Sequence, residues 1–138
     1  MKVKIKKLHP DAVIPKYSKI GDAGLDLTAV DVVADGSVLT YKTGLAIEIP
    51  WRHVGLLFPR SSVYKTGQSL TNCDGVIDSG YRGEIMLKYT LSPYAKEYEI
   101  GDRVGQLIIM PYPKIEFEET EKLTPTDRGD DGYGSTGR

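Results

Sequence analysis

The sequence predicts an all-β fold of many short strands, on the evidence of two observations. Glycine and proline recur so evenly that the longest stretches without either, 25–35 and 114–124, leave little room for a helix of average length. Apolar and polar or small residues alternate with period two in Val3–Lys6 and Leu45–Ile49, which is typical of strands with one buried face. Many short strands of this kind close as a sandwich or a barrel.

The remaining strands are predicted from blocks of apolar residues that end near a Gly or Pro. Strands are predicted, in chain order, at Val54–Phe58, Ile85–Leu87, Val104–Met110 and Ile115–Phe117. At most one short helical turn is predicted, after Pro59, with Ser61 or Ser62 as the N-cap of residues 63–66. The basic stretch Lys2–Lys7 fits the solvated face of an edge strand that lysines protect.

Length and charge narrow the class of protein. A chain of 138 residues is long enough for one core and too short for two ordinary domains. Its 18 basic and 19 acidic side chains leave a net charge of −1, so we expect no nucleic-acid or membrane partner. Cys73 is the single cysteine, and the charged N-terminus lacks the apolar segment of a signal peptide, so an intracellular, cytoplasmic protein is expected. No apolar run reaches the ~20 residues of a membrane-spanning helix.

Composition changes at residue 124, which predicts a catalytic body over 1–123 and a tail over 124–138. The tail contains four glycines, one aromatic residue and no aliphatic residue, so it should be mobile until a ligand orders it. Gly132–Gly137 matches the G-x-G-x-x-G dinucleotide pattern, but no helix can follow it, and Ser135 occupies the lysine position of a P-loop. A glycine-rich strip with Arg128 can still wrap phosphates through free N–H groups.

Five segments, taken together and in order, resemble the five motifs of the trimeric dUTPases: Ala23–Leu27, Pro59–Ser62, Gly75–Glu84, Gly101–Leu107 and Arg128–Gly137. The resemblance implies a distorted β-barrel or jelly-roll (β-clip) subunit and a homotrimer whose three active sites each draw on all three chains. It also implies Mg²⁺-dependent hydrolysis of dUTP to dUMP and pyrophosphate by attack of water on the α-phosphate. That reaction limits uracil incorporation into DNA and supplies dUMP for dTMP synthesis.

The resemblance assigns roles to the first two segments. Asp26 would hold Mg²⁺ through its water shell, which suits an ion that keeps several waters and prefers phosphate oxygens. Ser61 would donate to the oxygen bridging the α- and β-phosphates, where charge grows as pyrophosphate leaves, and Arg60 and the Ser62 N–H would bind phosphate. The structural alternatives are a turn aspartate and a capped helical turn with a solvated arginine.

The third segment is the most specific. By resemblance, Asp78 orients and deprotonates the attacking water, and Tyr81 lies under the deoxyribose and excludes a ribose 2′-hydroxyl. The alternative is a plain β-hairpin turn at Asp78–Gly80. Gly80 stands where many relatives carry a second Asp, which puts a second carboxylate in doubt. The same resemblance makes the surrounding hairpin a set of substrate contacts, namely Gly75, Ile77, Glu84 and Ile85.

Further contacts come from outside this hairpin. Asn72 is expected beside the uracil and Gln106 on the phosphate side, with a structural turn residue and an outward strand residue as the alternatives. In the tail, Arg128 would bind the terminal phosphate, and Tyr133, where many relatives have Phe, would stack on uracil. Gly134 and Ser135 would add substrate contacts.

Two other functions compete with this assignment. The dCTP deaminases share related arginine-serine and Ile-Asp segments, but they would not be expected to end in an Arg- and Gly-rich closing tail. A non-catalytic β-module that binds another protein is the second alternative, against which the retained Asp26, Asp78 and Tyr81 argue. A zinc site is not predicted, because His9, His53 and Cys73 lack ligand-like spacing.

Overall fold

The fold is all β, as predicted. A computed structural model describes residues 1–132, in which ten strands and one 3₁₀ helix form. The strands, in chain order, are β1 (Lys4–Lys7), β2 (Leu25–Thr28), β3 (Asp31–Asp35), β4 (Val38–Lys42), β5 (Leu45–Glu48), β6 (His53–Phe58), β7 (Gln68–Leu70), β8 (Gly75–Ile77), β9 (Met86–Leu91) and β10 (Arg103–Pro111). The 3₁₀ helix, Ser61–Lys65, lies between β6 and β7.

The strands form three antiparallel sheets. Two have four strands, in the orders β2-β10-β6-β8 and β3-β4-β9-β7, and the third pairs β1 with β5. Alternation of apolar and polar residues along the strands builds the core, because every second side chain of a strand points to the same face. One buried cluster draws on both four-stranded sheets, so the sheets pack face to face: it includes Leu27, Leu39, Tyr41, Leu57, Ile77, Leu87, Tyr89 and Leu107.

Three tyrosines pack edge to face inside this core. The rings of Tyr41, Tyr89 and Tyr98 lie with their centroids 5.7 Å apart in each pair. The Tyr89 hydroxyl donates to the Val104 carbonyl at 2.5 Å, and the Tyr41 hydroxyl donates to Gln68 Oε1 at 3.1 Å. Burial raises the pKa of all three phenols, so they stay protonated. Tyr41 and Tyr89 use the proton as structural donors, whereas the buried Tyr98 hydroxyl has no hydrogen-bond partner among the described residues.

Two local predictions are wrong. Residues Ile115–Phe117 form no strand within the described part of the chain and are exposed, because an extended segment needs a neighbouring strand to pair with. The helical turn begins earlier than predicted: its N-cap is Arg60, without a side-chain cap hydrogen bond, so neither Ser61 nor Ser62 is the N-cap. Among the described residues, no helix is long and apolar enough to cross a membrane.

Strand register brings three distant segments together. In β10, Gln106 lies opposite Asp26 of β2 on one side and opposite Phe58 of β6 on the other. The chain leaves β6 at Pro59 and enters the 3₁₀ helix immediately afterwards. Beyond β6, the edge strand β8 ends at Ile77, so Asp78 is the first residue of the loop that follows.

Candidate active site

One group of polar residues surrounds Asp26, and we call Asp26, Ser18, Arg60 and Arg103 the Asp26 cluster. Arg60 Nε lies 3.4 Å from Asp26 Oδ1, and Arg103 Nη1 lies 3.0 Å from Oδ2. Ser18 Oγ donates to the same Oδ2 at 3.2 Å. The Asp26 side chain is only 22% exposed, so two guanidinium groups converge on one shielded carboxylate. Two cations against one anion leave this cluster attractive to a further anion.

Gln106 adds an amide next to the cluster. Its Nε2 donates to the Pro59 carbonyl at 3.0 Å, which ties β10 to the start of the Arg60 turn. The side chain also passes so close to Gly24 that any Cβ at that position would clash with Oε1. A pocket of about 290 Å³ opens beside Asp26, and its walls include Ser18, Thr28 and Arg103. Ser61 is exposed and Ser62 half-buried at the start of the 3₁₀ helix.

A second group of residues forms a cleft of about 360 Å³, which we call the 72–88 cleft. Its floor is apolar, with Leu57, Ile77 and Ile85 buried in the main core. Exposed polar side chains, among them Asp78, stand at its rim. An apolar floor with a few polar groups suits a flat heterocycle. The whole lining consists of Leu57, Asn72, Gly75, Val76, Ile77, Asp78, Tyr81, Glu84, Ile85, Met86 and Lys88.

Internal hydrogen bonds shape the loop at the rim. The Tyr81 N–H donates to the Asp78 carbonyl at 3.0 Å, which closes a tight turn. The Tyr81 ring is 43% exposed, and its hydroxyl donates to the Glu84 carbonyl at 3.0 Å. Gly83 permits this, because a Cβ there would clash with the ring and its hydroxyl. Arg82 Nη1 donates to the carbonyls of Ser79 at 2.7 Å and Tyr81 at 2.9 Å. The loop is therefore ordered by its own contacts.

Asn72 fastens the opposite wall of the cleft. Its Nδ2 donates to the Met86 carbonyl at 3.0 Å, and its Oδ1 accepts the Lys88 N–H at 2.9 Å. The side-chain amide thus donates to and accepts from the main chain of β9, as a neighbouring strand would. Both contacts fit the structural alternative for Asn72, while a uracil contact stays a prediction.

The two groups are not bonded to each other in the described part of the chain. Among residues 1–132, no hydrogen bond or ion pair joins the Asp26 cluster to a side chain of the 72–88 cleft. They also differ in charge: the cluster presents two arginines, whereas the cleft has an apolar floor with Asp78 at its rim. The chain therefore carries an anion-attracting half and a heterocycle-sized half.

Comparison with known proteins decides the family. The dUTPase family profile matches residues 11–137. The chain belongs to the dUTPase family. It is 43% identical to a deoxyuridine 5′-triphosphate nucleotidohydrolase of Corynebacterium glutamicum, over 99% of this chain and 95% of that protein. It is 40% identical to the protein of the same name from Hydrogenobaculum, over 99% of both chains. The Staphylococcus bacteriophage 80alpha dUTPase with dUPNHPP is 26% identical, has a TM-score of 0.85 and covers 99% of each chain.

These matches confirm the predicted dUTPase family, the predicted enzyme class, dUTP diphosphatase, and the predicted all-β, jelly-roll-like fold. The structure then divides the predicted site residues of the dUTPase family between its two halves. Asp26, Arg60 and Gln106 meet at the Asp26 cluster, with Ser61 and Ser62 next in the chain. Seven others line the 72–88 cleft: Asn72, Gly75, Ile77, Asp78, Tyr81, Glu84 and Ile85.

The described part of the tail, 124–132, forms no hydrogen bond or ion pair with either half. Arg128 is exposed, and its Nε donates to the Asp131 carbonyl at 3.1 Å in a local turn. The predicted substrate contacts of Tyr133, Gly134 and Ser135 lie outside the described residues.

Sequence reasoning missed two members of the Asp26 cluster. Arg103 stands inside the fourth dUTPase segment but received no role, and Ser18 lies outside all five segments. No local pattern could have revealed Arg103, because it comes close to Asp26 only through its long-range pairing with Thr28 of β2. The hairpin expected around Asp78 also differs: β8 and β9 belong to different sheets, so the turn closes a wide loop rather than a paired hairpin.

Proposed function

We propose that this chain hydrolyses dUTP to dUMP and pyrophosphate with the help of Mg²⁺, by attack of water on the α-phosphate, at sites shared between the subunits of a homotrimer. The observation that carries the proposal is the division of the site into two halves of complementary chemistry. The 72–88 cleft suits a nucleoside, and the Asp26 cluster suits a triphosphate. In the cell, the reaction would limit uracil incorporation into DNA and supply dUMP for dTMP synthesis.

At the nucleoside half, two residues act on the substrate. Asp78 is exposed at the mouth of the cleft, where its carboxylate orients the attacking water and accepts its proton. The Tyr81 ring lies against the deoxyribose and leaves no room for a 2′-hydroxyl, which discriminates dUTP from UTP by shape. Uracil occupies the apolar floor and pairs with backbone groups of the loop.

At the triphosphate half, the arginines exchange partners. In the described structure both oxygens of Asp26 are occupied by Arg60 and Arg103. Phosphate oxygens replace the carboxylate as acceptors for guanidinium N–H groups, because each arginine can bind an anion through several donors. Ser61 donates to the oxygen that bridges the α- and β-phosphates and so stabilises the leaving group. Gln106 supplies an amide donor from β10.

The donor set fits Mg²⁺ held through water. Asp26 is the one carboxylate of its cluster, and residues 1–132 contain no group of three or more His, Cys, Asp or Glu that could hold a metal. Mg²⁺ usually keeps several waters and binds phosphates with one or two carboxylates, so a single Asp26 is sufficient. When bound, the ion would neutralise charge on the triphosphate. Release of Asp26 by the two arginines makes its oxygens available for this task.

Trimerisation and the tail complete the proposed site. Within residues 1–132 no hydrogen bond or ion pair joins the two halves, which supports a site completed by a neighbouring subunit. Three-fold symmetry would repeat this contact three times. The tail, 124–138, adds Arg128 at the terminal phosphate and Tyr133 on the uracil, with Gly134 and Ser135 as further contacts. Its lack of aliphatic residues supports ordering by ligand rather than by packing.

A substrate panel tests this function. Pyrophosphate release is measured with dUTP, UTP, dTTP and dCTP in the presence and absence of Mg²⁺, and ammonia release is measured with dCTP. We expect rapid, Mg²⁺-dependent hydrolysis of dUTP and at least ~100-fold lower kcat/KM for the other three nucleotides. Ammonia release from dCTP, or an equal rate for UTP, would contradict the proposal.

A further inference from the structure

Glu84 lines the 72–88 cleft, yet its carboxylate binds the protein backbone. Glu84 Oε1 accepts the N–H of Gly44 at 2.8 Å. Gly44 lies in the turn between β4 and β5, with a positive φ of 65° that favours glycine, and a Cβ there would come within 2.6 Å of His9 Cβ. Gly44 is buried, so its N–H needs an acceptor inside the protein. Glu84 provides that acceptor.

The residue after Glu84 is bound to the same turn. Thr43 and Leu45 bind the main chain of Ile85, a residue that is 1% exposed. The hydrogen bonds are Ile85 N–H to the Leu45 carbonyl at 2.8 Å, Thr43 N–H to the Ile85 carbonyl at 3.3 Å and Thr43 Oγ1 to the Ile85 carbonyl at 2.7 Å. With the Glu84 carboxylate, four contacts fix residues 84 and 85 to the β4–β5 turn. This turn is buried, and Leu45 at its end belongs to the main hydrophobic core.

The main-chain carbonyl of Glu84 holds Tyr81. The Tyr81 hydroxyl donates to it at 3.0 Å, across the space that Gly83 leaves empty. One residue therefore joins the core turn through its side chain and the Tyr81 ring through its carbonyl. Because Tyr81 is otherwise half-exposed, a shift of Glu84 would move the Tyr81 ring through this hydrogen bond.

We propose that Glu84 is a positioning residue for sugar discrimination, which fixes the Tyr81 ring at the height that excludes a 2′-hydroxyl. This inference rests on the proposed function and deepens it. In this role the Glu84 carboxylate supports the cleft by binding Gly44, while its expected contact with the substrate stays a prediction. Discrimination by shape requires a wall that stays in place, since a displacement of about 1 Å would relieve the clash with the extra oxygen. The hydrogen bond to Gly44 makes the wall stiff.

The matched pair Glu84→Ala and Glu84→Gln tests this assignment. Alanine removes the acceptor for the Gly44 N–H, whereas glutamine keeps an oxygen of nearly the same position. We measure kcat and KM with dUTP and with UTP on the same preparations, together with thermal unfolding. We expect Glu84→Ala to reduce the ratio of kcat/KM for dUTP over UTP by about ten-fold or more, and Glu84→Gln to restore the ratio to within about three-fold of the unsubstituted enzyme.

Three results would overturn the inference. They are an unchanged dUTP/UTP ratio in folded Glu84→Ala, a Glu84→Gln variant as indiscriminate as Glu84→Ala, or a raised KM for both nucleotides alike, which would identify Glu84 as a substrate ligand. If Glu84→Ala fails to fold, Tyr81→Phe decides, because it removes only the bond to the Glu84 carbonyl. A reduced ratio then supports the inference, and an unchanged ratio rejects it. Failure of the unsubstituted enzyme to hydrolyse dUTP would instead reject the proposed function.

Discussion

The two halves of the site are held by different forces. The Asp26 cluster consists of ion pairs between side chains, at 3.0 Å and 3.4 Å, that a stronger anion can replace. The 72–88 cleft is held by hydrogen bonds from side chains to the backbone and by an apolar floor that belongs to the main core. We infer that the sugar and base meet a preformed surface, whereas the triphosphate meets charges that rearrange. Substitutions in the cleft should therefore change chemistry and discrimination, and those in the cluster should change metal and phosphate affinity.

The largest expected effect separates chemistry from binding at the rim of the cleft. Asp78→Asn removes the proposed base but keeps the size of the side chain. We expect kcat for dUTP to fall by about 10³-fold, within the range usual for loss of a general base, while Kd for dUTP changes by less than about three-fold. Single-turnover kinetics and equilibrium binding measure the two quantities. Near-normal turnover in this variant would remove Asp78 from its assigned role.

A substitution in the Asp26 cluster is expected to change the Mg²⁺ concentration that the enzyme requires. Asp26→Asn abolishes the negative charge between the two arginines, so the Mg²⁺ concentration for half-maximal rate should rise by about 10- to 100-fold. Turnover at saturating Mg²⁺ should recover in part. A Mg²⁺ titration of the dUTPase rate tests this, with Asp31→Asn as the control, because Asp31 pairs with Lys42 at 3.6 Å on another sheet. An unaltered Mg²⁺ requirement would exclude Asp26 as the metal-holding residue.

Loss of the Tyr81 ring should alter sugar discrimination more than a substitution in the Asp26 cluster. Tyr81→Ala removes the surface that a 2′-hydroxyl would strike. The ratio of kcat/KM for UTP over dUTP should therefore rise by about ten-fold or more. The same ratio in Asp26→Asn should stay within about three-fold of the unsubstituted enzyme. Parallel assays of the two nucleotides give both ratios. Equal shifts in the two variants would contradict the division of labour between the halves.

The smallest expected effect concerns the exposed Cys73, which follows the cleft residue Asn72 in the chain. A hydrogen bond to Asp74 at 2.9 Å, together with burial, raises the pKa of the Cys73 thiol to about 11. The thiolate therefore forms only as pH approaches that value, and alkylation at pH 8 should be slow. Asp74→Ala lowers the pKa and should accelerate alkylation by iodoacetamide several-fold, while dUTP turnover stays nearly constant. Equal alkylation rates in the two proteins would show that the contact with Asp74 is absent in solution.

The sequence predicts the fold class, the family and candidate residues in each half, but it misses Ser18 and Arg103 of the Asp26 cluster. Alternation and spaced glycines identify strands such as β5 and β6, since the pattern depends only on local chemistry. Five strands, β2, β3, β4, β7 and β8, went unrecognised, because pairing with distant strands, such as that of β2 with β10 and of β4 with β9, is a long-range property. For the same reason Arg103 received no role, although the register of β10 places it beside Asp26. The bond between Glu84 and Gly44 spans 40 residues and has no local signature.

The most direct test of the central claim is complementation between the two halves. Asp26→Asn subunits and Asp78→Asn subunits are each expected to be nearly inactive under limiting Mg²⁺. If one subunit supplies the Asp26 cluster and a neighbour supplies the 72–88 cleft, random one-to-one trimers contain both intact halves at about one site in four. We expect the refolded mixture to recover about a quarter of the unsubstituted dUTPase rate. Subunit exchange confirmed by mass spectrometry, with a rate no higher than that of the two variants measured separately, would contradict a shared site.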